Sequence, residues 1–178
     1  MKTTIRFLLP VLLLLVLIAT GYAQRDTPPS APAATGSCPG MQMPVQQATG
    51  TYTPRPVPDI MINGQPAPGA FWKAGERAYW HCHTGSQILM VDDGVGAVQQ
   101  RGQRMRILRR GDTEFAGPGV EHWHGATQET SAHYFQTTTV DSKTLWMEEV
   151  GRDDYLGNDL GINSRNEFLK TGIRKKTN

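Results

Sequence analysis

The chain has 178 residues, with 18 Lys and Arg against 16 Asp and Glu, and two cysteines. That length suits one domain built on a single core. The near balance of charge excludes the basic footprint of a nucleic-acid-binding protein, and two cysteines are too few for a disulfide-stapled miniprotein.

The chain opens with a basic stretch carrying Lys2 and Arg6, continues as an apolar run from Phe7 to Ala19, and closes on small residues up to Ala23. This order of basic, apolar and small residues predicts a signal peptide over residues 1–23 and an exported protein, periplasmic or secreted. The run is shorter than the roughly 20 apolar residues of a membrane span, and Pro10 interrupts it, so no membrane partner is expected after cleavage. Loss of Lys2 and Arg6 leaves basic and acidic residues equal in number. An oxidising compartment permits a disulfide between Cys38 and Cys82, while a buried Cys82 with a free Cys38 is the plainer expectation.

Residues 24–44, with Pro28, Pro29 and Pro32 among Ala, Ser and Thr, read as a leader too polar to bury. Residues 45–150 read as the folded domain. It begins with a proline-rich stretch from Thr51 to Pro68, suited to an extended segment along an edge. Short strands then follow over 70–73, 77–83, 87–92, 96–100, 104–108, 113–116, 122–127 and 131–140, with one more within 143–150. Turn signals such as Asp92-Asp93-Gly94, Arg101-Gly102 and Arg110-Gly111-Asp112 separate them. Many short strands with no sustained helical period predict an all-β sandwich or barrel. Residues 151–178 turn polar and irregular and read as a C-terminal extension with a solvated basic end at Arg174-Lys175-Lys176.

His81 and His83 are two apart on a predicted strand, so both imidazoles leave one face and Cys82 leaves the other. Gln87 follows the turn Thr84-Gly85-Ser86 and folds back beside them, and His122 ends a second turn, Gly117-Pro118-Gly119-Val120-Glu121. Three imidazoles and an amide are a donor set for one divalent transition metal, with manganese, iron, zinc, nickel and copper all suited to it. His124 shares a face with His122, either as hydrogen-bonded support or as a catalytic base, and His133 stands either in the pocket or in the packing. Trp80 and Trp123 alternate with ligand positions and should pack in the core. Arg101, Arg104, Arg106, Arg109 and Arg110 crowd one hairpin. They read as a solvated edge, or as the source of one arginine reaching over the pocket to a carboxylate.

These residues resemble the cupin superfamily. Its first motif, Gly, five residues, His-x-His, three or four residues, Glu, six residues, Gly, corresponds to Gly75, His81, His83, Gln87 and Gly94. Its second motif, Gly, five residues, Pro-x-Gly, two residues, His, three residues, Asn, corresponds to Gly111, Gly117, Pro118, Gly119 and His122. Gln87 stands where most members carry Glu, Gly117 replaces the first Pro and Ala126 replaces the Asn. The likeness covers residues 69–140 and implies a single-domain jelly-roll barrel. The pairing of Gln87 with Pro118 to Ala126 is similar to small bacterial cupins that include manganese-dependent hydroxynitrile lyases. That similarity implies His81, His83, Gln87 and His122 as ligands of manganese, His124 or His133 as the proton-transfer group, and a homodimer. It implies a lyase acting on a small carbonyl or hydroxy compound, with a metal-dependent oxidase or oxygenase for an aromatic or sugar substrate, or a ligand-binding barrel without turnover, as alternatives.

Overall fold

The computed structural model describes Cys38 and residues 47–171. The signal peptide over 1–23, the leader apart from Cys38, and the basic end from Arg174 lie outside the described residues. In chain order the strands are β1 (Ala48–Thr49), β2 (Thr53–Pro54), β3 (Val57–Ile62), β4 (Gln65–Ala67), β5 (Gly69–Trp72), β6 (Arg77–Ala78) and β7 (His81–His83). They continue as β8 (Gln87–Gln100), β9 (Arg106–Arg109), β10 (Thr113–Ala116), β11 (His122–Ala126), β12 (Ala132–Thr138) and β13 (Thr144–Trp146), and two helices follow, α1 (Arg152–Tyr155) and α2 (Ile162–Thr171). All pairings are antiparallel, β3 and β4 pair only with each other, and the remaining strands join one curled sheet. This is the all-β jelly roll expected from the run of short strands.

Strand β8 organises the barrel. The turn expected at Asp92-Asp93-Gly94 is instead a corner within one 14-residue strand. The first half of β8 pairs with β10 and β12, and the second half with β9 and β11. Gly94 takes φ +78° at the corner, and a Cβ there would lie 2.0 Å from the Ser131 carbonyl oxygen, so only glycine permits the bend. Asp92 is the extra residue in the ladder: His133 faces Asp93 while Tyr134 already faces Val91.

Alternation along the strands sorts apolar residues into two cores. Trp72, Leu89, Val91, Val98, Ala132 and Tyr134 fill the barrel interior. Trp80, Cys82, Trp123, Met147, Tyr155 and Phe168 form a second core on the outer face, between the strands and the C-terminal helices. The second core corrects the reading of residues after 151 as irregular. Ser164, Arg165 and Phe168 recur at three- and four-residue spacing and share one face of α2, and Phe168 is buried while Asn163 and Glu167 face solvent. Two apolar anchors, Tyr155 and Phe168, hold this segment, a weak signal in an otherwise polar sequence.

Cys38 and Cys82 are joined as a disulfide, with Cα atoms 6.2 Å apart. The plainer expectation of a free Cys38 therefore fails: Cys82 does leave the outer face of β7, and Cys38 packs against that same core.

Gly125 on β11 sits where a Cβ would lie 2.5 Å from both the Arg77 Cα and the Glu76 carbonyl oxygen, which are backbone atoms that cannot move aside. Gly117, by contrast, would meet nothing nearer than the Val120 side chain at 3.8 Å. Gly125→Ala is expected to destabilise the fold by about 3 kcal/mol or more and Gly117→Ala by less than about 0.5 kcal/mol, read from urea unfolding midpoints.

Candidate metal centre

Three strands, β7, β8 and β11, converge in the barrel interior. His81 and His83 point inward from β7, with Cys82 between them pointing out. Strand β13 pairs with β7 so that Thr144 faces His83 and Trp146 faces His81. Strand β11 lies on the other side and sets His122 opposite His81, their rings 4.2 Å apart. Gln87 enters from the first residue of β8, in the other half of the barrel, and its Oε1 lies 2.8 Å from His122 Nε2.

The backbone fixes the tautomers that this geometry needs. His81 Nδ1–H donates to the Tyr79 carbonyl at 2.7 Å, and His122 Nδ1–H donates to the Val120 carbonyl at 2.9 Å. Each neutral ring then presents its Nε2 lone pair to the interior. His83 Nδ1 lies 3.2 Å from Thr144 Oγ1, and its Nε2 is buried without a hydrogen-bond partner. One ligating atom from each of His81, His83 and His122 lies within 4.8 Å of the other two. Buried lone pairs with no donor, a facing amide oxygen, and mutually repelling neutral rings are the condition that a divalent cation relieves. The residues therefore fit the metal that the sequence implies.

Burial dominates the electrostatics. It pushes His81 and His124 well below the ordinary imidazole range, and neighbouring imidazoles push the same way: His122, His124 and His83 for His81, His122 and His83 for His124. His122 is lowered to about 3 by burial and by His83. His83 is lowered by burial, with the nearby Gln87 amide, as an acceptor for the protonated ring, opposing. All four rings are neutral at pH 7, the form that binds a metal.

A cavity of about 220 Å³ opens on this cluster. His124 lies on its wall, buried, with Nδ1 lacking a hydrogen-bond partner. Its ring is 5.2 Å from His81 and meets Trp72 edge-on at 5.8 Å. Tyr52, Trp72 and Trp146 form an aromatic wall, and Gln136 Nε2 donates to Tyr52 Oη at 2.9 Å across it.

His133 does not join the site. Tyr134 takes the inward position on β12, donating its hydroxyl to the Gly125 carbonyl at 2.7 Å, so His133 faces outward. There its Nδ1 lies 2.9 Å from Asp92 Oδ2 and its Nε2 2.9 Å from the Arg55 carbonyl. The bulge at Asp92 sets that register, and a role for His133 in proton transfer is withdrawn. Nor does an arginine reach over the pocket. Arg101 and Arg106 pair with Glu121 and Glu114, and among the described residues no Arg lines the cavity. Sequence reasoning did not single out Tyr52, Gln136, Thr144 or Trp146. The alternation of β13 could have given Thr144 and Trp146, whereas Tyr52 arrives from a proline-rich segment with no periodic signal.

A curled antiparallel jelly roll carrying an inward His-x-His, an amide and a third histidine defines a class, the small metal-binding β-barrels. Residues 71–140 match the Cupin domain family, and the chain belongs to the cupin superfamily. It is 35% identical over 86 residues to an (R)-mandelonitrile lyase of Granulicella tundricola, a match covering 47% of this chain and 66% of that enzyme. A cupin-like protein from Thermotoga maritima superimposes with TM-score 0.52 at 31% identity, over 65% of this chain and 90% of that one. Salicylate 1,2-dioxygenase from Pseudoaminobacter salicylatoxidans is a more distant likeness, at TM-score 0.40 and 19% identity, over 46% of this chain and 23% of that one.

The four depressed histidines tie stability to pH. Below about 6.5 the unfolded chain takes up protons that the folded chain refuses, so stability falls as pH drops from 6.5 toward 3, by up to about 1.4 kcal/mol per pH unit for each histidine. The melting temperature of metal-free protein should therefore fall between about pH 7 and pH 4, and His122→Ala should flatten that slope. An equally steep slope in the variant would remove the cluster as its cause.

Proposed function

We propose that this protein is an exported, mononuclear metal-dependent enzyme with lyase chemistry of the hydroxynitrile-lyase type, acting on a small carbonyl or hydroxy compound. The observation that carries the reading is His124, a buried neutral base on the cavity wall within ring contact of His81. The 35% identity to a mandelonitrile lyase supports it. His81, His83, Gln87 and His122 would hold the metal, manganese by resemblance. With only neutral donors the ion keeps its charge, so when bound it supplies polarisation of a substrate oxygen.

The chain's own groups do the rest. His124, kept neutral by burial, accepts the hydroxyl proton of a cyanohydrin as its carbon–cyanide bond breaks and the carbonyl forms. The imidazolium then returns that proton to the leaving cyanide, so the reaction is redox-neutral and no proton is lost. Tyr52, Trp72 and Trp146 pack the apolar body of the substrate and exclude water. At about 220 Å³ the cavity falls below the roughly 300 to 1,000 Å³ that hold drug-sized ligands, which favours a small substrate. The Cys38–Cys82 disulfide supports export to a periplasmic or extracellular space. A homodimer belongs to the same proposal, and the exposed cross-strand pair Phe115 and Ile88 offers it an apolar contact.

Manganese-loaded protein should cleave an aromatic cyanohydrin, followed as aldehyde release, and lose that activity on chelation. His124→Ala should lower kcat by about 10²- to 10⁴-fold with metal content unchanged. Turnover that requires oxygen and spares cyanohydrins would replace the lyase reading with an oxygenase.

A further inference from the structure

Resting on the reading of His81, His83, Gln87 and His122 as metal ligands, we infer that Arg101 and Glu121, locked to the C-terminal helix α2, position His81 and His122 from behind. Residues 151–171 are then part of the support of the metal centre, and Arg101 is its positioning residue.

Arg101 is joined to the residue before each of two ligands. Its Nε lies 2.6 Å from Glu121 Oε2 and its backbone N–H donates to the Glu121 carbonyl at 2.8 Å, directly before His122. Its guanidinium stacks over Trp80 at 3.8 Å, directly before His81. Alternation continued one residue before β7 and β11 leaves Trp80 and Glu121 on the face opposite His81 and His122.

The helices close the arrangement. Arg101 Nη1 reaches the Gly161 carbonyl and lies 3.2 Å from Ser164 Oγ, while Arg165 Nε on α2 donates to both Glu121 oxygens at 2.8 and 2.9 Å. Trp80 Nε1–H donates to Asp154 Oδ2 at 3.3 Å. Gly161 takes φ +72°, and a Cβ there would meet the Trp80 ring at 2.5 Å, so the close approach of α2 to Trp80 depends on glycine. The Arg101 side chain is only 5% exposed and that of Glu121 10%. Apolar residues could fill the same volume, but a guanidinium that stacks on Trp80, pairs with Glu121 and donates through Nη1 to the Gly161 carbonyl also fixes direction. Direction is what two ligands on separate strands need in order to converge on one ion.

Titration of metal-free protein with Co²⁺, by calorimetry and by visible absorption, tests this in wild type, Arg101→Lys and Arg165→Ala. Arg109→Ala on the same hairpin is the control. Arg101→Lys keeps the charge and loses the planar group stacked on Trp80. It should weaken Co²⁺ binding by about 10- to 100-fold and shift the visible bands while circular dichroism shows it folded. Arg165→Ala, at a half-exposed site that tolerates truncation, should weaken binding several-fold with little change in melting temperature, and Arg109→Ala should bind as wild type. Folded Arg101→Lys and Arg165→Ala with wild-type affinity and spectrum would overturn the positioning role and leave the metal centre standing. Wild type that binds no Co²⁺, Mn²⁺ or Zn²⁺ would overturn the metal centre and the clamp with it.

Discussion

The pairing of β7 with β11, which sets His81 opposite His122, is the constraint on which the rest of this structure depends. With a period of two, each strand sends alternate residues to opposite faces, so one register assigns both faces at once. Inward go His81, His83, His122 and His124, and outward go Trp80, Cys82, Glu121 and Trp123. A slip by one residue would place Trp and Cys in the barrel and four imidazoles against the helices. The disulfide, the Arg101 contacts and the second core therefore depend on the same register that assembles the metal centre.

Holding four imidazoles in that interior is unfavourable for a chain without an ion. Each ring must shed its proton to be buried, and once neutral it carries a lone pair with no donor to meet it. The backbone carbonyls of Tyr79 and Val120, each two residues before its histidine, remove the ambiguity of tautomer and leave Nε2 facing inward. The structure thus stores unsatisfied acceptors at one point, and their relief by a cation converts binding free energy into folding free energy.

The jelly roll and the four candidate ligands were legible in the sequence because both are written in local spacing. His81 and His83 obey the strand period, Gly75 marks a turn, and the Gly-Pro-Gly turn delivers His122. Nonlocal features were not legible. Whether His133 faces the pocket depends on one bulged residue, Asp92, which the sequence presents as a turn. Arg101 looked like its exposed neighbours on the hairpin, because its carboxylate partners lie 20 and 47 positions further along the chain. Helix α2 carries a single large buried apolar anchor, Phe168, too little for a periodic pattern. The aromatic wall draws on β5, β13 and the proline-rich segment, joined only by the closure of the barrel.

The distribution of charge bears on chemistry. Among the described residues the cavity lining contains amides, a hydroxyl pair, aromatic rings and neutral histidines, and no Asp, Glu, Lys or Arg. Arg101 is turned to the outer face, where Glu121 and Glu148 meet it, and Arg106 pairs with Glu114 away from the cavity lining. A cation bound by His81, His83, His122 and the neutral Gln87 would therefore be the dominant charge in the pocket, without a carboxylate to offset it. Glutamate at position 87 would cancel part of that charge. The amide preserves it, at the cost of weaker intrinsic binding, and such a site must recover affinity by holding its ligands in the right directions. A rigid support behind the strands, of the kind Arg101 and α2 provide, is the physical counterpart of a neutral donor set in front of them.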